Sequence, residues 1–262
     1  ENCPESKYYH LSRAQKRLWF FQQMAPTSPA YHILMSIRIT GALDVPILKK
    51  SLDLLAQRHE MLRTSIVVVS EEESENGQDE FPAQILHERV DFEILQKDIS
   101  GLEPEEKERR LYEAIEEIGK EPFDLARAPL FRTALVRLDT SGREYVMVVV
   151  KHHIISDAWS INNMVKEFVF LYDRLSRDLP VDMEPLAFQY KDYTLWHNGL
   201  IAGGYFDKYK DYWLEKFKDK PTGIELPLDY PRGAVQTFNG GRIFYKIAEA
   251  ETERLRNLAD TT

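Results

Sequence analysis

One stretch constrains this chain more than any other: Tyr145 to Val150 is an unbroken apolar run, and it passes within ten residues into a helix-period pattern. The run reads as a buried strand. Beyond it, Ile161, Met164, Val165, Phe168, Leu171, Tyr172 and Leu175 recur at intervals of three and four, which marks the inner face of a helix. Lys151-His152-His153-Ile154-Ile155-Ser156-Asp157-Ala158-Trp159-Ser160 is therefore a strand-to-helix turn. Two histidines and an aspartate sit where a rigid scaffold commonly holds side chains toward a ligand or a reacting group.

The rest of the 262 residues alternates strands and helices. Ser12 to Met24 predicts a helix with Leu11, Leu18, Phe21 and Gln22 near one side, stopped by Ala25-Pro26-Thr27-Ser28-Pro29. Tyr31 to Ile39 alternates as a strand, and Asp44 caps a helix whose Leu48, Leu52, Leu55 and Ala56 share a face. Thr64 to Val69 is a β-branched strand, and Ser70 to Glu80 is an acidic, solvated hairpin loop. Two short strands are expected within Pro82 to Leu95, and an amphipathic helix from Pro104 to a stop at Gly119. Leu130 to Leu138 and Tyr145 to His152 form strands joined by a hairpin connection at Asp139 to Arg143.

After a polar connection at Leu179 to Pro185, Phe188 to His197 and Tyr205 to Phe217 read as aromatic-rich helices. The stripe Tyr209, Tyr212, Trp213 and Phe217 points to a core or packing role, because no basic groove accompanies it for stacking bases. Leu226 to Arg232 reads as extended, Arg242 to Ile247 as a strand, and a last helix begins near Glu249 with Leu255 and Leu258 inward. That unfinished ending suggests a sequence cut inside a larger unit.

A net charge of -9 and the lack of a basic patch argue against nucleic acid as a partner. No apolar run approaches the roughly 18 residues of a membrane span, and the polar start from Glu1 to Lys7 is no signal peptide. The lone Cys3 excludes an intramolecular disulfide and a Cys-rich metal site. The expectation is a soluble, acidic protein of the cytoplasm.

What can the turn do? Adjacent strand residues point to opposite faces, so His152 and His153 would not chelate one ion together, and no metal site is expected. A Ser-His-Asp hydrolase would use Ser156 or Ser160, but no Gly-x-Ser-x-Gly elbow is present. Two readings remain. In one, a histidine faces a tunnel and Asp157 braces the turn through an arginine brought from elsewhere. In the other, the histidines are ordinary core or surface residues and Asp157 is only a helix cap.

The motif itself, His-His-Ile-Ile-Ser-Asp-Ala-Trp-Ser at 152–160, resembles the His-His-x-x-x-Asp-Gly signature of nonribosomal peptide synthetase condensation domains. Acyltransferases of the chloramphenicol acetyltransferase type share a shorter version of it. Three further stretches are similar to the family's other motifs in the same order. Ser12-Arg13-Ala14-Gln15-Lys16-Arg17-Leu18-Trp19 looks like the first, Arg58-His59-Glu60-Met61-Leu62-Arg63-Thr64 like the second, and Tyr190-Lys191-Asp192-Tyr193-Thr194-Leu195-Trp196 like the fourth.

The resemblance implies the fold class α/β, an α+β sandwich with a mixed, mainly antiparallel sheet and flanking helices, as a chloramphenicol acetyltransferase-like lobe at 1–180, with 181–262 as a connection and the incomplete start of a C-terminal lobe. It implies peptide-bond formation between a carrier-bound donor thioester and the α-amine of a carrier-bound acceptor. His153 is then the residue at the reaction centre, His152 supports the turn, and Asp157 pairs with Arg63. Ala158, Trp159 and Ser160 complete the site. Position 158 departs from the family's usual Gly: either an alanine with ordinary φ fits there, or the tunnel is narrowed beside His153. No cofactor or metal belongs to the chain itself. Substrates would come on the phosphopantetheine arms of peptidyl carrier proteins, and adjacent synthetase domains and the missing C-terminal lobe are the other partners. Alternatives are a coenzyme A-dependent acyltransferase, an epimerisation relative of the same fold, and a non-catalytic module that docks carrier proteins.

Overall fold

The computed structural model describes residues 2–70, 80–219, 223, 226–231, 233 and 245–261. Two compact units divide it, Glu1–Thr222 and Gly223–Thr262. In the first, β1 (Tyr9–His10) leads into α1 (Arg13–Met24), β2 (His32–Thr40) and α2 (Val45–Arg58). Then come β3 (Thr64–Ser70), β4 (Glu80–Leu86), β5 (Ile94–Asp98), α3 (Pro104–Lys120), β6 (Phe131–Arg137), β7 (Glu144–His152) and α4 (Ala158–Ser176). The unit closes with α5 (Tyr190–Ala202) and α6 (Asp207–Lys216).

The sheets are a four-stranded one, ordered β2-β7-β6-β5, and a three-stranded one, ordered β1-β4-β3. Among the described strands only β5 with β6 is parallel, so the main sheet is mixed and mainly antiparallel, as expected. β7 lies in its middle, bonded to β2 and β6, and this central place accounts for its unbroken apolar run. Val148 and Val150 are fully buried in the principal core, with Leu11, Leu130 and Ala134. The opposite side chains of β7, Met147 and Val149, face α2 and α4 with Leu48, Ile37 and Phe168.

Local signals set the element boundaries. The Asp44 carboxylate accepts the Ile47 N–H at 2.9 Å and starts α2. Ser12 and Gln15 form a reciprocal capping box at the start of α1. Gly119, expected to stop α3, lies inside it one residue before the end; there a Cβ would meet Leu34 Cδ1 of β2, so a larger residue would require the Leu34 side chain to shift. Gly142, at φ +69°, turns the hairpin between β6 and β7.

Several expectations need correction. Phe21 points outward at 39% exposure, against the ring of Tyr31, while Gln22 takes the buried position on α1. The two strands expected within Pro82 to Leu95 overrun that range at both ends, as Glu80–Leu86 and Ile94–Asp98, and they join different sheets. The aromatic stripe of α6 is not core: Tyr209, Tyr212, Trp213 and Phe217 are each about half exposed, with Trp213 and Phe217 stacked on one another at 5.6 Å. The first compact unit runs on past residue 180 to Thr222. α5 is bound into the first unit by Asn198, which donates to Leu11 O at 3.1 Å, and by Tyr190, whose hydroxyl meets that of Ser12 at 2.9 Å.

Residues 71–79 of the acidic loop lie outside the described residues; the flanking pair Ser70 and Glu80 are in register, so the loop does join a hairpin. In the second unit α7 (Glu249–Asp260) starts where expected, but Leu255 and Leu258 are exposed. Of the strand expected at Arg242 to Ile247, residues 242–244 lie outside the described set, and 245–247 carry no strand. Arg232, in the expected extended stretch, also lies outside it.

Candidate active site

β7 delivers the two histidines to different surroundings. The His152 N–H donates to Leu130 O at 2.9 Å on one side, and the His153 N–H donates to Tyr31 O at 2.8 Å on the other. The alternation of strand residues thus survives to the end of the strand. His152 points into the core and is fully buried. Its Nδ1 accepts the Ile154 N–H at 3.1 Å, and its Nε2 faces Gln22 Oε1 at 3.3 Å. A neutral ring with its proton on Nε2 meets both demands. Burial, followed by the nearby His32 and His153, pushes its pKa down to about 3.

The bond from Ile154 caps a single 3₁₀ turn, His153–Ile155, which lifts His153 out of the sheet. Its imidazole is exposed and takes no hydrogen bond from the described residues. It faces a cleft of about 520 Å³, together with Asp157, Trp159, Ser160, His59 and Tyr190. Gln15 of α1 supports the turn from below, donating to Ile154 O at 3.3 Å.

Asp157 is the N-cap of α4. Its carboxylate accepts the Ser160 N–H at 2.8 Å, and the Ser160 hydroxyl accepts the Asp157 N–H at 2.8 Å. The Ser160 amide, more than its hydroxyl or the neighbouring His153, holds the carboxyl pKa below the ordinary value against partial burial. The expected ion pair with Arg63 is absent. Arg63 ends the 3₁₀ turn Glu60–Arg63, donates to His87 O and lies 4.0 Å from Glu60 Oε1. Its side chain lines a different depression beside Lys49, Asp53 and Glu88. The guanidinium is turned toward the end of β4, while the carboxylate is committed to the first turn of α4.

Ala158 is the first residue of α4 and does not line the cleft. Among the described non-glycine residues only Asp178 has positive φ, so the alanine stands in an ordinary conformation. Trp159 is 79% exposed on the cleft rim.

Sequence reasoning missed two kinds of site residue. Gln15 and Gln22 are polar positions seven apart on the inner face of α1, and that spacing was the available signal. His59, at the end of α2, lines the cleft with its Nε2 2.5 Å from Glu167 Oε2 of α4; nothing local in the sequence joins those two. The separated motifs also meet. Lys191 pairs with Glu60 at 2.8 Å, and the Gln189 amide donates to Arg58 O at 2.9 Å.

The comparisons agree with this arrangement. The family described as Condensation domain matches residues 5–262. Bacitracin synthase 3 of Bacillus licheniformis is 34% identical over 262 residues, 99% of this chain and 4% of the synthase. Malpibaldin synthetase of Mortierella alpina is 33% identical over 254 residues, 97% of this chain and 4% of that protein. Among solved structures, the first condensation domain of the calcium-dependent antibiotic synthetase, in complex with a substrate analogue, has a TM-score of 0.71 at 21% identity, covering 84% of this chain and 49% of that one. A chain of the complex of the X-domain and OxyB from teicoplanin biosynthesis reaches 0.74 at 23%, covering 90% and 49%. The chain thus spans about half of these structures and a small fraction of the synthetases. With the family matched along nearly its whole length and the histidine turn in place, the chain belongs to the condensation domain family.

Proposed function

We propose that this chain carries the histidine-bearing half of a site that joins a carrier-bound donor thioester to the α-amine of a carrier-bound acceptor. One observation carries the assignment of roles. Of two adjacent histidines, His152 is buried with both ring nitrogens engaged, while His153 stands in the cleft with neither engaged by the described residues.

The amine nitrogen attacks the thioester carbonyl carbon. A C–N bond forms, the C–S bond breaks, and the sulfur leaves on the donor's phosphopantetheine arm with the proton that the amine gives up. A free α-amine has a pKa of about 7.7 to 8.0, so a useful fraction is neutral near pH 7 without a strong base. His153 holds the amine by accepting its N–H, takes its proton as the tetrahedral species forms, and returns that proton to the departing sulfur. Positioning contributes as much here as base catalysis, which is typically worth roughly 10² to 10⁴ in rate.

Asp157 and Ser160 act on His153 through the turn they close. The substrates arrive on two carrier proteins, and the remaining half of the fold together with adjacent synthetase domains completes the site. The single cysteine, Cys3, fits work in a reducing cytoplasm.

The test is amide formation between loaded donor and acceptor carriers by a full-length protein that contains this chain. His153→Ala is expected to lower the product rate by about 10²-fold or more. An undiminished rate would remove His153 from the reaction.

A further inference from the structure

The α2 and α4 side of the main sheet holds a second cavity, of about 290 Å³. Met164 is the one residue that walls both this cavity and the histidine cleft. Met35, Leu48, Leu55 and Phe168 make most of it apolar. Two polar side chains of the sheet break the pattern. Thr133 on β6 is 1% exposed, and its Oγ1 has no hydrogen-bond partner among the described residues. Lys151 on β7 is 5% exposed, and among the described residues the one hydrogen bond of its Nζ goes to Met164 Sδ at 3.4 Å. A thioether is a weak acceptor, so the ammonium is nearly unpartnered.

The register brings these two groups together. Phe131 stands opposite Lys151 and Thr133 opposite Val149, so Thr133 and Lys151 are diagonal neighbours on one face, a spacing of about 7–8 Å between backbones. Buried donors without acceptors are destabilising, and native folds rarely keep them without a use. A largely apolar pocket with a few convergent polar groups is the usual form of a small-molecule site.

We propose that this cavity binds a medium-chain aliphatic monocarboxylate, with its carboxylate between Lys151 Nζ and Thr133 Oγ1 and its tail among Met35, Leu48, Leu55 and Phe168. The volume is about twice that of an apolar cavity of about 150 Å³ that takes up benzene, room for a single straight chain. One ammonium and one hydroxyl suit a single negative charge, and a cationic headgroup would be repelled. Burial lowers the Lys151 pKa to about 8, against the pull of Asp157, so the amine is still charged at neutral pH. Asp157 is engaged by Ser160 and forms no ion pair with it. This site lies apart from the proposed condensation chemistry and stands or falls independently of it.

Decanoate is the probe, with methyl decanoate and decylamine as controls, titrated calorimetrically into the full chain at pH 7. Saturable one-to-one binding of decanoate alone is expected. Lys151→Met and Thr133→Val should each weaken it by about tenfold, the loss of one charge-assisted hydrogen bond. In wild-type protein labelled at its methionine methyl groups, Met35 and Met147 resonances should move on titration while exposed Met24 stays still, a reading that needs no variant. Failure of decanoate to saturate at millimolar concentration, equal binding of either control, unchanged affinity in a folded Lys151→Met protein, or unmoved Met35 and Met147 signals would each overturn the proposal.

Discussion

Asp157 and Ser160 cap one another: each backbone N–H reaches the other's side-chain oxygen at 2.8 Å. This pair closes the first turn of α4 and so fixes how the chain leaves His153. Asp157→Ala should cost about 0.5–2 kcal/mol, toward the low end because the residue is exposed, and Asp157→Asn much less at neutral pH. The carboxyl pKa is depressed in the folded state, so its contribution is present above the ordinary carboxylate value and is lost as pH falls through the folded one. Since Arg63 bonds elsewhere, Arg63→Ala and Asp157→Ala should be additive within about 0.5 kcal/mol in denaturant melts. A coupling well above that would restore the ion pair.

His152 should make the protein acid-labile. In the unfolded chain its ring takes a proton near pH 6.5, whereas in the fold it stays neutral down to about 3. Between those values the unfolded state binds more protons, so the stabilisation is full above pH 6.5 and drains away as pH falls toward 3, by on the order of a few kcal/mol. Urea melts at pH 7 and pH 4 should show a smaller loss for His152→Gln than for wild type. Parallel losses would show that other groups set the acid limit.

Periodicity carried most of the fold. The run from Tyr145 to Val150 and the spacing from Ile161 to Leu171 identify β7 and α4, because burial on a strand and on one helix face leaves different repeats. Asp44 and the turn at Gly142 were legible because caps and tight hairpins need particular residue types. Partners in space were not. A strand pattern does not say which sheet receives it, hence the separation of β4 from β5. The stripe on α6 reads as a packing face, but an aromatic pattern does not say whether anything is packed on it. The motif order likewise placed Arg63 and Asp157 in one protein without aiming their side chains. The inward direction of His152 followed from alternation, whereas the Gln15 and Gln22 bonds that hold the turn depend on α1 crossing beneath it.

Ala158→Gly tests whether the family's glycine matters here. The alanine has no positive φ to relieve and does not wall the cleft, so the transfer rate should hold. Stability should fall by up to about 1 kcal/mol, since glycine is the poorer helix residue. A faster enzyme with the glycine, measured on loaded carriers, would mean that the methyl group does obstruct a bound substrate.

His59 offers the cleft a second imidazole. Glu167 Oε2 lies 2.5 Å from its Nε2, and Arg58 Nε is 3.3 Å from the other carboxylate oxygen, so the ring is held by one edge while it lines the cavity that His153 faces. Loss of one hydrogen bond between such a wall and a substrate is worth about 1.5 kcal/mol, or about tenfold in kcat/KM. His59→Ala should therefore lower kcat/KM about tenfold with a modest change in Tm. Glu167→Gln, which keeps the ring in place with a weaker partner, should lie between that variant and wild type. If His59→Ala instead lost only thermal stability and kept kcat/KM on loaded carriers, the pair would be a brace between α2 and α4 and nothing more.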